Sequence, residues 1–180
     1  MKQTERQKLI AAAMEEEKSK LFCYACYRLG DEKDAEDILQ DLFITLSRSP
    51  EIAEKANNLN NYIFRCLANN CTTLMRQKSK LHFVQIDSSE AMEQEPCEPQ
   101  NFEQEYTMIN RFLSIIPQEQ SEVIRLHIHA GRTFRQIAEI LEIPEASAKS
   151  RYRYGIEKLR ANIKSIKEKK HKSLKFLVFP

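Results

Sequence analysis

With 180 residues, 42% of them hydrophobic, the chain is long enough for one large domain or two small ones with packed cores. Three glycines and almost no strand-like alternation argue against a sheet, and the six prolines fall at apparent helix starts, in linkers or at the terminus, so the expected fold class is all-α. A net charge of +2 hides an uneven spread: residues 1–80 carry 13 Lys and Arg against 12 Asp and Glu, residues 81–105 none against seven, and residues 106–180 15 against seven.

The first predicted helix covers residues 5–29, with Leu9, Ala13, Leu21, Tyr24, Ala25 and Leu29 as inward positions. Gly30 ends it and Asp31 caps the next, in which Ala35, Ile38, Leu39, Leu42, Phe43 and Leu46 recur at helical spacing. Asp34, Asp37, Gln40 and Asp41 occupy the opposite face. The macrodipole accounts for Asp34 and Asp37 near the N-terminus but not for Asp41 in mid-helix. After a loop over residues 47–56, a third helix carries Leu59, Ile63, Leu67, Asn70 and Leu74 on one stripe and Arg65, Asn69, Thr72 and Arg76 on another. A row of amide, hydroxyl and guanidinium groups suits a nucleic-acid backbone, although an ordinary polar helix face has the same spacing.

The connector, residues 81–105, has seven acids, Pro96, Pro99 and no cation, and reads as a solvated tether. Beyond it, residues 133–160 read as two helices joined by a tight turn. Thr133 and Gln136 have the spacing of a capping box, and Phe134, Ile137, Ala138 and Leu141 give the first helix its inner face. Glu142 falls where glycine would more comfortably adopt left-handed backbone. Pro144 starts the second helix, with Ala148, Tyr152, Gly155 and Leu159 inward, and mid-helix Gly155 points to close packing. Ser147, Lys149, Ser150, Arg151 and Arg153 are left outside, donors suited to phosphates and base edges if the helix enters a major groove. The tail, residues 164–180, is basic and then apolar, which fits a helix extension, a disordered end or a partner contact.

No glycine-rich phosphate loop or nucleophile with a neighbouring base is present, so no catalytic residue and no cofactor are expected. Cys23 and Cys26 could pair with Cys66 and Cys71 as four thiolates, but Cys66 and Cys71 diverge on a helix, as do His127 and His129, so no metal site is expected. Five cysteines, an odd number, read as reduced thiols. The N-terminus lacks a secretory apolar core, and no run approaches the roughly 20 apolar residues of a membrane span. The expectation is a cytoplasmic protein without membrane insertion.

Together the motifs resemble the sigma factors of bacterial RNA polymerase, in the short extracytoplasmic-function type that keeps the second and fourth conserved regions. The second-region signature is carried by Asp34, Ala35, Glu36, Asp37, Gln40, Asp41 and Phe43, and the fourth-region signature by residues 115–126 followed by the helix-turn-helix. The resemblance implies two small helical domains: a three- to four-helix region 2 domain over residues 1–80 and a region 4 helix-turn-helix domain over residues 106–163. The acidic linker, residues 81–105, would join them. It implies that Asp37, Gln40 and Asp41 dock on the clamp helices of the polymerase β′ subunit, with the β flap as a further contact. Asn57, Asn58, Arg65, Asn69 and Arg76 would open and read the minus-ten promoter element. Ser147, Lys149, Ser150, Arg151 and Arg153 would read the minus-thirty-five element. An anti-sigma partner is implied too, and a role for Asp87, Glu90, Glu93 and Glu95 as mimics of nucleic-acid charge. Thr73 stands where many members carry Asp, and the basic run after it is thin. Two rivals are a stand-alone helix-turn-helix regulator and a sigma-like adaptor that does not support initiation.

Overall fold

The computed structural model describes residues 3–85 and 102–177. Among these residues the chain forms eight α-helices and no strand: α1 (Gln3–Leu29), α2 (Glu32–Arg48), α3 (Ile52–Lys55), α4 (Leu59–Gln85), α5 (Phe102–Leu113), α6 (Gln118–Ile128), α7 (Phe134–Leu141) and α8 (Glu145–Leu177). Asp87, Glu90, Glu93 and Glu95 lie outside the described residues.

The first group, α1 to α4, is assembled by local signals. Gly30 turns the chain at φ +79, its N–H returning to the Cys26 carbonyl at 2.8 Å. Asp31 then accepts from the Asp34 N–H at 2.9 Å and starts α2. Ala35, Ile38, Leu42 and Leu46 of α2 are buried, and Leu39 packs half-buried against the same core. Two expected inward residues are not inside. Leu9 is 46% exposed because Ile10, one position on, occupies the core, and Phe43 is 40% exposed because Leu42 takes the inner place in α2. The core face of α4 is wider than its leucine stripe: Phe64, Ala68 and Cys71 are buried beside Ile63 and Leu67.

The second group centres on α6 crossing α8. A Cβ on Gly155 would lie 2.8 Å from Ile124 Cδ1 and 3.2 Å from Gln120 Cβ, so the glycine sets how closely the helices approach. Leu113, Ile116 and Ile124 form a small cluster there, covered by Ile109, Tyr152, Ile156 and Leu159. The capping box of α7 is formed as expected: Gln136 N–H donates to Thr133 Oγ1 at 3.3 Å and Thr133 N–H to Gln136 Oε1 at 2.9 Å. Ile137 and Ile140 bury the inner face of α7. The backbone of α8 continues to Leu177, so most of the tail extends that helix.

The two groups share one hydrophobic core in which Tyr24, Phe64 and Leu67 join Val123, Leu126, Ile137 and Ile140. Polar contacts cross the same junction. Arg132 pairs with Glu17, both nearly buried, and its guanidinium lies 4.2 Å from the Phe64 ring centroid. Arg28 meets Glu122 at 3.0 Å, Tyr24 donates to Glu122, and Arg125 Nε donates to the Tyr27 carbonyl at 3.2 Å. His129 stacks on Tyr27 with centroids 3.6 Å apart. Burial pushes the Glu17 carboxyl up, but hydrogen bonds from Arg132 and Lys20 outweigh it and hold the group below its ordinary value.

Candidate nucleic-acid interface

Three surfaces carry the residues singled out by the sequence. The first is the outer face of α2. Asp37, Gln40 and Asp41 are exposed, and none makes a side-chain hydrogen bond or ion pair among the described residues. Asp34 differs: it is partly buried and paired with Lys78 of α4, so it ties two helices together. Spacing alone did not single out Ile44, which is 39% exposed and falls on the stripe of Asp37, Gln40 and Asp41 at i+7, i+4 and i+3. Exposed Phe43 flanks it. The face therefore sets two exposed apolar side chains beside an acidic, amide-bearing stripe. Continuing the stripe by one turn would have found Ile44.

The second surface joins the loop before α4 to its cationic side. Asn57 and Asn58 are exposed, and Asn58 Oδ1 accepts from the Asn61 N–H at 3.0 Å, capping the first turn of α4. Arg65, Asn69 and Arg76 do not form one free row. Asn69 and Arg76 are exposed, whereas Arg65 is held across the junction by α7. Its Nε donates to the Ile140 carbonyl at 3.2 Å, Nη2 donates to the Glu139 carbonyl, and Nη1 pairs with Glu142 at 2.7 Å. Asn61, buried, donates to the Glu139 carboxylate. Thr72 and Thr73 return their hydroxyls to the carbonyls of Ala68 and Asn69, at 2.9 and 3.0 Å, and so cover their own helix. A groove of about 1170 Å³ runs between this surface and α7, lined by Asn57, Asn58 and Arg65 on one side and Arg135, Glu139 and Glu142 on the other.

The third surface is the first half of α8. Lys149 and Arg153 are exposed, and Ser147, Ser150 and Arg151 partly so. Lys149 pairs with Glu145 at 2.7 Å within the helix, and Arg151 with Glu119 of α6 at 2.8 Å. Arg153 lies over the Tyr154 ring, 4.9 Å from its centroid. Ser150 donates to the Ala146 carbonyl at 2.9 Å. These pairs are solvent-exposed and weak, so they orient the cations without withdrawing them from a stronger phosphate partner.

The four cysteines among the described residues offer no reactive group to this set. Burial pushes the Cys71 thiol up to about 12 and Cys26 to about 11, and Cys23 and Cys66 are raised for the same reason, which keeps all four protonated as small hydrophobes. Among the described residues no group of three or more His, Cys, Asp and Glu is gathered as a metal would need, and no helix is long and apolar enough to cross a membrane.

Comparisons with known proteins match the two helix groups separately. Residues 13–81 fit the family model described as Sigma-70 region 2, and residues 112–161 that of Sigma-70, region 4. The chain is 27% identical over 161 residues to the ECF RNA polymerase sigma factor SigL of Mycobacterium tuberculosis, covering 88% of this chain and 90% of that one. Among solved structures it resembles CnrH in complex with the cytosolic domain of CnrY. That match has a TM-score of 0.64 and 17% identity, over 88% of this chain and 97% of the other. It also resembles the sigma factor RpoE of Bartonella quintana in complex with the anti-sigma factor NepR, with a TM-score of 0.57 and 20% identity, over 89% of this chain and 95% of the other.

Proposed function

The chain belongs to the sigma-70 family, in its extracytoplasmic-function branch, and from that premise we propose how its residues bind core RNA polymerase and read promoters. It is a specificity subunit that binds the core enzyme and directs promoter recognition and initiation. It does no covalent chemistry; catalysis belongs to the polymerase it joins.

In our reading Asp37, Gln40 and Asp41 dock on the β′ clamp helices, with Ile44 and Phe43 supplying the apolar contact. The observation that carries this is the α2 face itself, exposed Asp37, Gln40 and Asp41 without a side-chain partner among the described residues, next to exposed Phe43 and Ile44. Asn57, Asn58, Arg65, Asn69 and Arg76 act at the minus-ten element through backbone and base contacts. Ser147, Lys149, Ser150, Arg151 and Arg153 act at the minus-thirty-five element, with the first turns of α8 in the major groove. In domain terms, residues 1–80 and 106–163 form the two functional units, residues 81–105 join them, and residues 164–180 extend the second. The β flap would hold the second unit. The two solved relatives are complexes with CnrY and NepR, which supports an anti-sigma partner here too, acting with the protein in the cytoplasm. A stand-alone regulator has no need of the α2 face, and two separate region matches leave that rival without support.

The test is promoter-dependent transcription by core polymerase with the wild-type chain and with Asp37→Lys. The wild type should direct specific transcripts and the charge reversal should abolish core binding. A wild type that binds core but initiates nowhere would favour the adaptor reading. Undiminished core binding by Asp37→Lys would remove the docking role of α2.

A further inference from the structure

We propose that the cleft between the second half of α4 and the corner where α5 meets α6 is a binding site for a small phosphate-bearing anion. The cleft holds about 590 Å³, within the roughly 300–1,000 Å³ of small-molecule sites. Its cations come from three helices: Arg28 of α1, Arg76 and Lys80 of α4, and Arg125 of α6. No Asp or Glu lines it among the described residues. Arg76 and Lys80 are exposed and make no ion pair among the described residues, so both can meet an incoming anion.

The buried part distinguishes this cleft from a basic surface. Arg28 and Arg125 are each 4% exposed, and one carboxylate, Glu122, serves both, at 3.0 Å from Arg28 and 4.0 Å from Arg125. Two buried cations against one anion leave positive charge uncompensated beneath the cleft, and buried charge is costly until it is paired. Burial, and then the neighbouring Arg28 charge, lower the Arg125 guanidinium to about 10 from 12.5. Arg125 spends its donors on the protein: Nε on the Tyr27 carbonyl, Nη1 on Ser121 and Nη2 on Asn110. Arg28 does not. Its Nε lies beside Glu122 without hydrogen-bond alignment, and its guanidinium makes no hydrogen bond among the described residues. A buried fork of donors is thereby left to the cleft that it lines.

Other groups complete a phosphate site. Gln118 borders the cleft in the first turn of α6, whose N-cap, Pro117, supplies no side-chain hydrogen bond, so the leading N–H groups at the positive end of the helix dipole are uncapped there. Ser79 and Ser114, both exposed, add hydroxyls to the lining. Met75, Leu113 and Ile116 make the remaining wall apolar, a surface for the base of a nucleotide. A duplex backbone can meet exposed Arg76 but cannot reach Arg28, so the depth of the charge favours a small anion over DNA. A nucleotide and free pyrophosphate share that chemistry.

The full chain is titrated by calorimetry with inorganic pyrophosphate, ATP and adenosine, without divalent cations, and its thermal midpoint is read with each. Pyrophosphate and ATP should bind saturably and raise the midpoint, because a ligand of the folded state alone stabilises it. Adenosine should do neither. ATP binding tighter than pyrophosphate identifies a nucleotide as the ligand, and equal affinity identifies the free anion; both results support the site. Two exposed positions carry the mutational test. Ser114→Glu sets a carboxylate in the cleft and Lys80→Glu reverses a cation, and each should weaken binding by about tenfold. Lys8→Glu, 20 residues and about 30 Å of helix from Arg28, changes the net charge as Lys80→Glu does. It should leave the affinity within about twofold, because charges that far apart are screened. No saturable binding of either phosphate probe would overturn the site. Equal losses in Lys8→Glu and Lys80→Glu would reduce it to the net charge of the chain, and adenosine binding as tightly as ATP would reduce it to an apolar slot; each would overturn the proposal.

Discussion

At the scale of the residue, Arg151 and His129 show how one environment sets one role. Arg151 is steered by Glu119 at 2.8 Å, a pair too exposed to hold it against phosphate. Arg151→Ala should weaken binding of a minus-thirty-five duplex by the assembled holoenzyme. It should also lower the slope of log affinity against log salt by about one, measured by fluorescence anisotropy over a salt series. His129, stacked on Tyr27, is held neutral: burial takes its pKa down to about 4 from 6.5, and Arg125 nearby adds to the effect. The unfolded chain takes a proton below pH 6.5 that the folded chain refuses until about pH 4. Stability from this group is therefore complete above pH 6.5 and drains away as pH falls through that window. With solvent screening the loss is on the order of 1 kcal/mol. Urea denaturation at about pH 7.5 and 5 should show it, and His129→Phe, which keeps a stacking ring, should remove that share of the pH dependence.

At the scale of the element, the contact of α6 with α8 turns on Gly155. Alanine there gains helix propensity of about 1 kcal/mol and meets Ile124 and Gln120 too closely. Valine adds two methyls into the same gap, so Gly155→Val should lower stability by about 2 kcal/mol in denaturant titrations, with Gly155→Ala costing less. This residue was legible in the sequence, as were the Thr133–Gln136 capping box, the Asp31 cap and the strained Glu142, because each is marked by one or two residue types within a single helical turn. The faces of the long helices were less so. Leu9 and Ile10 are neighbours, and which one turns inward depends on where α2 and α4 lie. Phe43 fits the α2 repeat as well as Leu42 does, yet it stays outside. Phe64 is buried between Tyr24 of α1 and Arg132 of the second helix group, a neighbour that no periodicity within α4 records.

At the scale of the molecule, the junction was the part the sequence did not disclose. Arg65 lies in a row of polar groups that reads as DNA-facing, and its capping of α7 arises only when residues 74 to 77 positions apart meet. Arg132 and Glu17 are similarly remote, 115 positions apart, and nearly buried. Arg132→Ala leaves Glu17 with only the half-exposed Lys20 and uncovers the Phe64 ring, so it should cost about 3 kcal/mol in urea unfolding. Replacing both partners together, Glu17→Leu with Arg132→Met, should cost much less, because no buried charge is left unpaired. A double variant as unstable as the single one would show that shape, and not charge, governs the junction.

The longest element extends this beyond the junction. At 33 residues α8 is one continuous helix, about 50 Å of rod at 1.5 Å per residue. Its first turns carry Ser147, Lys149, Ser150, Arg151 and Arg153, which we assign to the major groove, and the sequence of its far end holds a run of lysines. If the first turns read the groove, such a rod would work as a tiller. A partner that shifts the lysine end by about 9 Å swings the reading end through roughly ten degrees without touching it. The tail then needs no contact with DNA to change how the duplex is read; it needs only something to lean on.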